Sequence, residues 1–273
     1  MTEFRTLQWS GSFDGPWSAE ARARYLDGGY DGLSVSAGQE WMQNDLGFLR
    51  ELAGLRYLSL NVKLKNDLPA FTIPSLEELV LNTACGLALP KDEIQASVRT
   101  VVIPDRPGLD VGRRWPEIES LRVGAWKGVS LNLLEGAPKL STLRLEGKGQ
   151  SGGLAGLEAC TSLKELRSVK YGIRDTSPLR DLKNLVSLDM MAARPAAPHG
   201  RIDLADLSGS ELRRLWISNA PEIFHVEALL EIPTVREIRL IDCGLSDRQR
   251  RVLESMQLKH GLRLINTLCD ESR

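Results

Sequence analysis

A six-residue pattern, LxxLxL, returns along most of this chain at nearly constant intervals. It reads LRYLSL (Leu55–Leu60), LEELVL (Leu76–Leu81), VRTVVI (Val98–Ile103), IESLRV (Ile118–Val123) and LSTLRL (Leu140–Leu145). It continues as LKELRS (Leu163–Ser168), LVSLDM (Leu185–Met190), LRRLWI (Leu212–Ile217) and VREIRL (Val235–Leu240). Start to start, these copies step by 21, 22, 20, 22, 23, 22, 27 and 23 residues. Weaker copies flank them: FRTLQW (Phe4–Trp9), YDGLSV (Tyr30–Val35) and KHGLRL (Lys259–Leu264). A chain that repeats one unit at this period is constrained to stack its copies, each covering the next.

Counting from the first apolar residue, positions four and six of each copy are two apart. They therefore face the same side of a strand, and position one enters that core from the preceding turn. One copy alone cannot bury these side chains, whereas stacked copies can, which predicts a parallel sheet. Between strands the apolar spacing changes to three. Leu154, Leu157, Cys160 and Leu163 follow it, as do Leu179, Leu182 and Leu185. That spacing suits short 3-10 or single-turn segments and leaves no room for long helices.

The period and the LxxLxL signature resemble the leucine-rich repeat family, over nearly the whole chain. SPLRDLKNL (Ser177–Leu185) is similar to the short bacterial and phosphatase-regulator type of repeat. The resemblance implies an α/β solenoid, a right-handed horseshoe or arc. A parallel β-sheet would line its concave face, with short helical or 3-10 segments and loops on the convex face. The expected organisation is one solenoid domain over 1–273. It comprises an N-terminal cap and atypical repeats (1–54), regular repeats (55–241), and a C-terminal capping helix with a last strand (242–273). The family often places asparagine just after the strand. Here that ninth position holds Lys63, Ala84, Arg106, Trp126, Lys148, Tyr171, Ala193, Ala220 and Cys243. Only Cys243 fits, so looser and more irregular turns are expected.

The ends carry helix signals. Trp17–Gly29 reads as a helix with Ser18 as N-cap and Gly28 just past its end. Ser246–Met256 carries a capping box, Ser246 with Gln249, and an apolar face of Val252, Leu253 and Met256. Met191–Leu204, rich in proline and alanine, lies in the 27-residue step and reads as a loop bulging from the stack.

Several function classes find no support in the sequence. Lys+Arg is 35 and Asp+Glu 36, so no whole-molecule attraction to nucleic acid or anionic membrane is expected. The start has no basic segment followed by an apolar one, no apolar run approaches a membrane span, and four cysteines form no CxxC pair. These features predict a cytoplasmic protein without zinc or a disulfide scaffold. Gly147–Gly153 (GKGQSGG) reads as a flexible turn, not a phosphate loop. His199, His225 and His260 lie apart and read as exposed or locally hydrogen-bonded, Cys160 as a small buried hydrophobe, and nothing marks Cys269 as activated. No catalytic residue, cofactor, metal or small-molecule substrate is evident.

The register permits one sharper reading. If positions four and six point inward, positions three, five and seven line the concave face. The fifth position holds Gln8, Ser34, Ser59, Val80 and Val102, then Arg122, Arg144, Arg167, Asp189, Trp216, Arg239 and Arg263. The second group spans about 29 Å at the spacing of neighbouring strands. Neighbouring arginines there would repel by roughly 1 kcal/mol per pair even in water. Glu165, Glu237 and Glu146 offer partial compensation, and Arg214 adds to the charge. The expectation is a basic, partly apolar face that binds a folded protein or an acidic peptide through Arg122, Arg144, Arg167, Asp189, Arg214, Trp216, Arg239 and Arg263. The family resemblance, too, implies a non-enzymatic binding scaffold, a cognate inhibitor or immunity-type binder being one version. The alternatives are a merely solvated face, an anionic-ligand or nucleic-acid binder along the arginine column, and an enzyme or enzyme subunit with an unrecognised site. Trp126 either extends the surface or fills space left by the missing asparagine.

Overall fold

The computed structural model describes residues 3–11, 14–36, 46–193, 197–260 and 263–267. The chain divides into two compact units, Met1–Val123 and Gly124–Arg273. The first contains β1 (Thr6–Ser10), α1 (Ala19–Asp27), β2 (Gly32–Ser36), β3 (Tyr57–Asn61), β4 (Glu78–Leu81), β5 (Thr100–Pro104) and a one-turn helix α2 (Val111–Arg114). Strand β6 (Ser120–Trp126) carries the division. The second unit contains β7 (Thr142–Gly152), β8 (Glu165–Ile173), β9 (Ser187–Met191), β10 (Ile202–Asp203), β11 (Arg214–Ser218), β12 (Ile223–Phe224), β13 (Glu237–Ile241), α3 (Asp247–His260) and β14 (Arg263–Thr267).

Every copy of the pattern becomes a strand. In the first unit β1 to β5 pair in chain order, all parallel. In the second the order is β7-β8-β9-β11-β13-β14, again parallel. The short β10 and β12 pair in a separate two-stranded sheet. The period-two inference holds side chain by side chain. Leu58 and Leu60, Leu79 and Leu81, Leu143 and Leu145, Leu188 and Met190, Ile238 and Leu240 are all buried. Ser168 stands in one of these core positions and is buried as well.

The three-residue spacing also has its predicted consequence. Leu157 N donates to Leu154 O at 3.0 Å, Cys160 N to Leu157 O at 2.9 Å, and Leu163 N to Cys160 O at 3.0 Å. Each apolar residue thus closes a turn onto the one before, and all four side chains are buried. The segments Asn132–Leu134, Leu157–Ala159, Ser177–Asp181, Leu204–Leu207 and Val226–Glu231 form this layer in the second unit. Gly156, at φ +99°, opens one of them; a Cβ there would lie 2.5 Å from the Leu131 carbonyl carbon. The cap signals hold too. Ser18 Oγ accepts from Ala21 N at 3.2 Å, with Gly28 as C-cap. Ser246 N donates to Gln249 Oε1 at 2.8 Å, and Gln249 N to Ser246 Oγ at 3.4 Å. Leu253 and Met256 of α3 are buried and Val252 is half-buried.

The turns after the strands differ from expectation, because several residue types replace the asparagine. Arg106 is fully buried and donates to both oxygens of Asp67 at 2.8 Å and to Cys85 O at 2.6 Å. Tyr171 Oη donates to Gly128 O at 3.1 Å. Cys243 Sγ lies 3.6 Å from Ile217 O. Trp126 is buried, so it fills space and does not extend the surface. An asparagine does serve at Asn219, one position earlier, where Nδ2 donates to Ala192 O at 2.9 Å. That eighth position is left-handed in several copies: Ala125, Lys170, Asn219 and Asp242 have φ of 54–61°.

The described part of Met191–Leu204 does not bulge outward. Ala197, His199 and Ile202 are buried. The His199 ring explains why, since it ties three segments together. Its Nδ1 accepts from Ile173 N at 3.0 Å, and its Nε2 lies 3.2 Å from Met190 O. Residues 194–196, the His260 side chain and Cys269 lie outside the described residues. No described helix is long and apolar enough to cross a membrane.

Candidate binding face

Positions three, five and seven of the second unit's strands do point away from the core. On β7, β8, β9, β11 and β13 this face carries Arg144, Arg167, Arg214 and Arg239 together with Glu146, Glu165, Asp189 and Glu237. On these five strands four cations thus meet four acids, and Arg263, opposite Glu237 on β14, adds a fifth cation to the face. Several of these charges pair. Same-face residues two apart on one strand, and diagonal neighbours on adjacent strands, come within reach of a long side chain. Arg144 Nη2 reaches Glu146 at 2.7 Å and Arg239 Nε reaches Glu237 at 2.6 Å, each along its own strand.

Asp189 is the centre of the arrangement. In sequence it interrupts the arginine column; in the structure its side chain is only 6% exposed and lies between two guanidinium groups. Arg214 Nε lies 3.4 Å from its Oδ1, and Arg167 Nε lies 4.0 Å from its Oδ2. Arg214 comes from the third position of β11 and reaches back across the sheet. Its Nε also donates to Ser187 Oγ at 3.0 Å. These residues, with Thr142, Arg144, Glu165 and the backbones around Leu143 and Leu166, line a depression of about 210 Å³. Its walls come from four neighbouring strands, β7, β8, β9 and β11.

Trp216 pairs in register with Asp189 on one side and Arg239 on the other. The Arg239 guanidinium lies 5.1 Å from the centre of its ring. The indole nitrogen is buried and has no hydrogen-bond partner among the described residues. An aromatic ring covered on one face by a cation, beside a polar depression, combines the two residue types most enriched in binding hot spots.

Two further expected site residues lie on other strands, one of them on this same face. Arg122 is exposed and belongs to the first unit. Arg263 pairs with Glu237, and Ile265 pairs with Arg239. Arg263 is therefore at the third position of the last strand, two residues from where the KHGLRL match put it. Helix α3 runs through His260 and uses up the first residues of that match.

The remaining polar clusters lie off this face. Asp203 holds His225 Nδ1 at 2.7 Å and Arg201 at 3.1 Å, and Asp206 holds Thr176 Oγ1 at 2.7 Å and Arg180 at 2.5 Å. Among the described residues no group of three or more histidines, cysteines or acids is arranged to hold a metal ion.

No family model and no curated protein sequence matches the chain. Solved structures do. An internalin of Listeria monocytogenes is 14% identical, with 88% of this chain and 68% of that one covered and a TM-score of 0.59. A leucine-rich-repeat protein of Leptospira interrogans is 16% identical, with 97% and 73% covered and a TM-score of 0.58. At such identities the likeness is one of fold. Joined to the parallel strands on every LxxLxL copy and the short turns between them, it establishes that this chain has the leucine-rich-repeat fold.

Proposed function

We propose that this protein is a non-enzymatic interaction scaffold that binds a protein partner on the exposed sheet face of its second unit. The observation that carries the reading is the juxtaposition of Trp216, stacked beneath Arg239, with the depression lined by Arg144, Arg167, Asp189 and Arg214. Tryptophan and arginine are enriched among interface hot spots, and a paired arginine and tryptophan on an exposed sheet face is the chemistry of an interface anchor. The charges of the face are committed to one another in ion pairs, which suits recognition better than acid–base work. The fold itself supports the reading only by analogy. A cytoplasmic setting fits the three described cysteines, Cys85, Cys160 and Cys243, which are buried and not joined in disulfides.

The test is affinity capture from extracts of the producing cells, comparing the wild-type chain with Arg144→Glu/Trp216→Ala. Loss of the captured partner by the variant, with an unchanged circular-dichroism melt, is the expected outcome. Full retention removes this face as the binding surface.

A further inference from the structure

We infer that the bulge in β7 and the turn beside it in β8 form a basic docking rim, where Lys148 and Lys170 receive a short acidic segment of the protein partner, two Asp or Glu side chains. The inference rests on the reading of the adjoining sheet face as a protein-binding surface and names the chemistry the partner carries at its border.

The stretch Gly147–Gly153, expected as a flexible turn, is built into β7 through Gly152. Its pairing with β8 breaks once. Glu146 stands opposite Val169 and Gln150 opposite Tyr171, so three residues, Gly147, Lys148 and Gly149, face one, Lys170. Such a bulge re-aims the side chain it carries. The glycines on either side of Lys148 permit it. A Cβ at Gly147 would lie 2.5 Å from the Lys170 carbonyl oxygen, and Gly149 takes φ +93°. Lys148 N donates to Gln150 Oε1 at 2.8 Å, which closes the bulge. The result sets Lys148 against Lys170, two like charges on neighbouring strands, an arrangement that costs stability.

No acid of the protein offsets that cost. Both side chains are exposed, and among the described residues neither has an ion-pair or hydrogen-bond partner. The sheet face differs, since Arg144 and Arg239 each have a carboxylate within 2.7 Å. Arg174, also exposed, adds a third cation after Lys170. The positive rim is short. Glu146 precedes it on β7, paired with Arg144, and Asp175 follows it, accepting from Ser177 N at 3.1 Å and Ser177 Oγ at 2.6 Å. A polyphosphate laid over the lysines would run onto one of these acids, whereas two carboxylates would not. The Lys148 amide, which a phosphate cradle in this turn would use, is already bonded to Gln150. The place fits as well. Glu146 and Val169 hold the seventh positions of β7 and β8, so the lysines begin where the sheet face ends. Exposed charges at such a border act on encounter more than on release.

The probe is the capped tripeptide Glu-Gly-Glu, with Gln-Gly-Gln and inorganic phosphate as comparisons. Binding is read at low salt from the backbone amide signals of Gly147–Gln150 and Lys170 in NMR spectra of the full chain. We expect saturable shifts there with the Glu peptide, none with the Gln peptide, and weaker binding of phosphate. Lys148→Gln/Lys170→Gln should weaken the Glu peptide by about fivefold. Lys63→Gln/Lys91→Gln removes the same charge from exposed positions of the first unit and should change nothing. Lys170 holds a left-handed backbone at φ +54°, so Lys148→Gln is also measured alone and should show a smaller loss. With the captured partner, Lys148→Gln/Lys170→Gln should slow association by about fivefold and leave dissociation unchanged. Equal shifts with the Gln peptide, a preference for phosphate, an unchanged affinity in the rim variants, or an equal loss in both double variants overturns the inference. If the peptide result is negative while Arg144→Glu/Trp216→Ala still abolishes partner capture, the rim fails and the interaction face stands. A positive peptide result with capture retained in that variant removes the face and leaves an acid-binding rim.

Discussion

His199 shows how much a single side chain can decide once its surroundings are known. In sequence it is a lone histidine in a proline-rich stretch, and nothing distinguishes it from an exposed one. In the structure it is 2% exposed and joins β8, β9 and the segment that carries it through both ring nitrogens. Burial pushes its pKa down from 6.5 to about 4. The unfolded chain therefore binds a proton between those values that the folded chain refuses, and stability falls as the pH drops through that window. The loss amounts to about 3 kcal/mol by pH 4. His225 behaves oppositely, because its hydrogen bond to Asp203 raises its pKa. An NMR titration should show the His225 ring protonating above the usual histidine range while His199 stays neutral down to about pH 4. Unfolding midpoints should fall in parallel with the His199 window, and a His199 signal that titrates near 6.5 would refute the assignment. Asp189 teaches the same lesson from the other side. Its residue type and position were legible, but its partners were not, because a diagonal reach from Arg214 depends on side-chain direction, which no spacing rule encodes.

At the scale of the element, strands and turns differed sharply in legibility. Strands were readable because burial repeats at period two and any slip would carry leucines into water. The three-residue layer was readable for the same kind of reason. Turns were not, because the job of binding loose backbone groups can be done by many side chains. The Asp67–Arg106 pair is the clearest case. Burial alone would raise the Asp67 pKa; the Arg106 and Thr83 hydrogen bonds outweigh that and hold it below the ordinary range. Both side chains are fully buried; two hydrogen bonds join them, Thr83 Oγ1 donates a third to Asp67, and Arg106 donates a fourth to Cys85 O. Replacing Arg106 with methionine should cost about 3–5 kcal/mol, since it strands a buried carboxylate. The double variant Asp67→Asn/Arg106→Met should recover part of that loss. Urea unfolding of the two variants measures both numbers, and equal stability of Arg106→Met and the wild type would show that the pair is dispensable. The last strand was misread by two residues for a related reason: an end copy has weak apolar anchors, and the length of α3 sets where its strand begins.

At the scale of the whole molecule, charge separates the protein-binding reading from the nucleic-acid one. The chain carries a net charge of −1, and the strands β7, β8, β9, β11 and β13 present four arginines against four acids on one face. Neither the global field nor that face would attract a polyanion. A binder that neutralises six to ten phosphates loses about 10³–10⁵ in affinity between 50 and 200 mM salt, through release of condensed counterions. A protein partner anchored on Trp216 has no such reservoir of released ions. Its affinity should fall by less than about tenfold over that range, because the remaining ion pairs are short and screened only in part. Titration of the captured partner by calorimetry at the two salt concentrations measures the slope. The same titration with single-stranded and double-stranded oligonucleotides should give no heat even at 50 mM. A steep slope with an oligonucleotide, retained in Trp216→Ala and lost in Arg144→Gln/Arg167→Gln, would reverse the assignment: the arginines would then be reading phosphates, and their pairing with Glu146 and Asp189 would be a resting state displaced by the ligand.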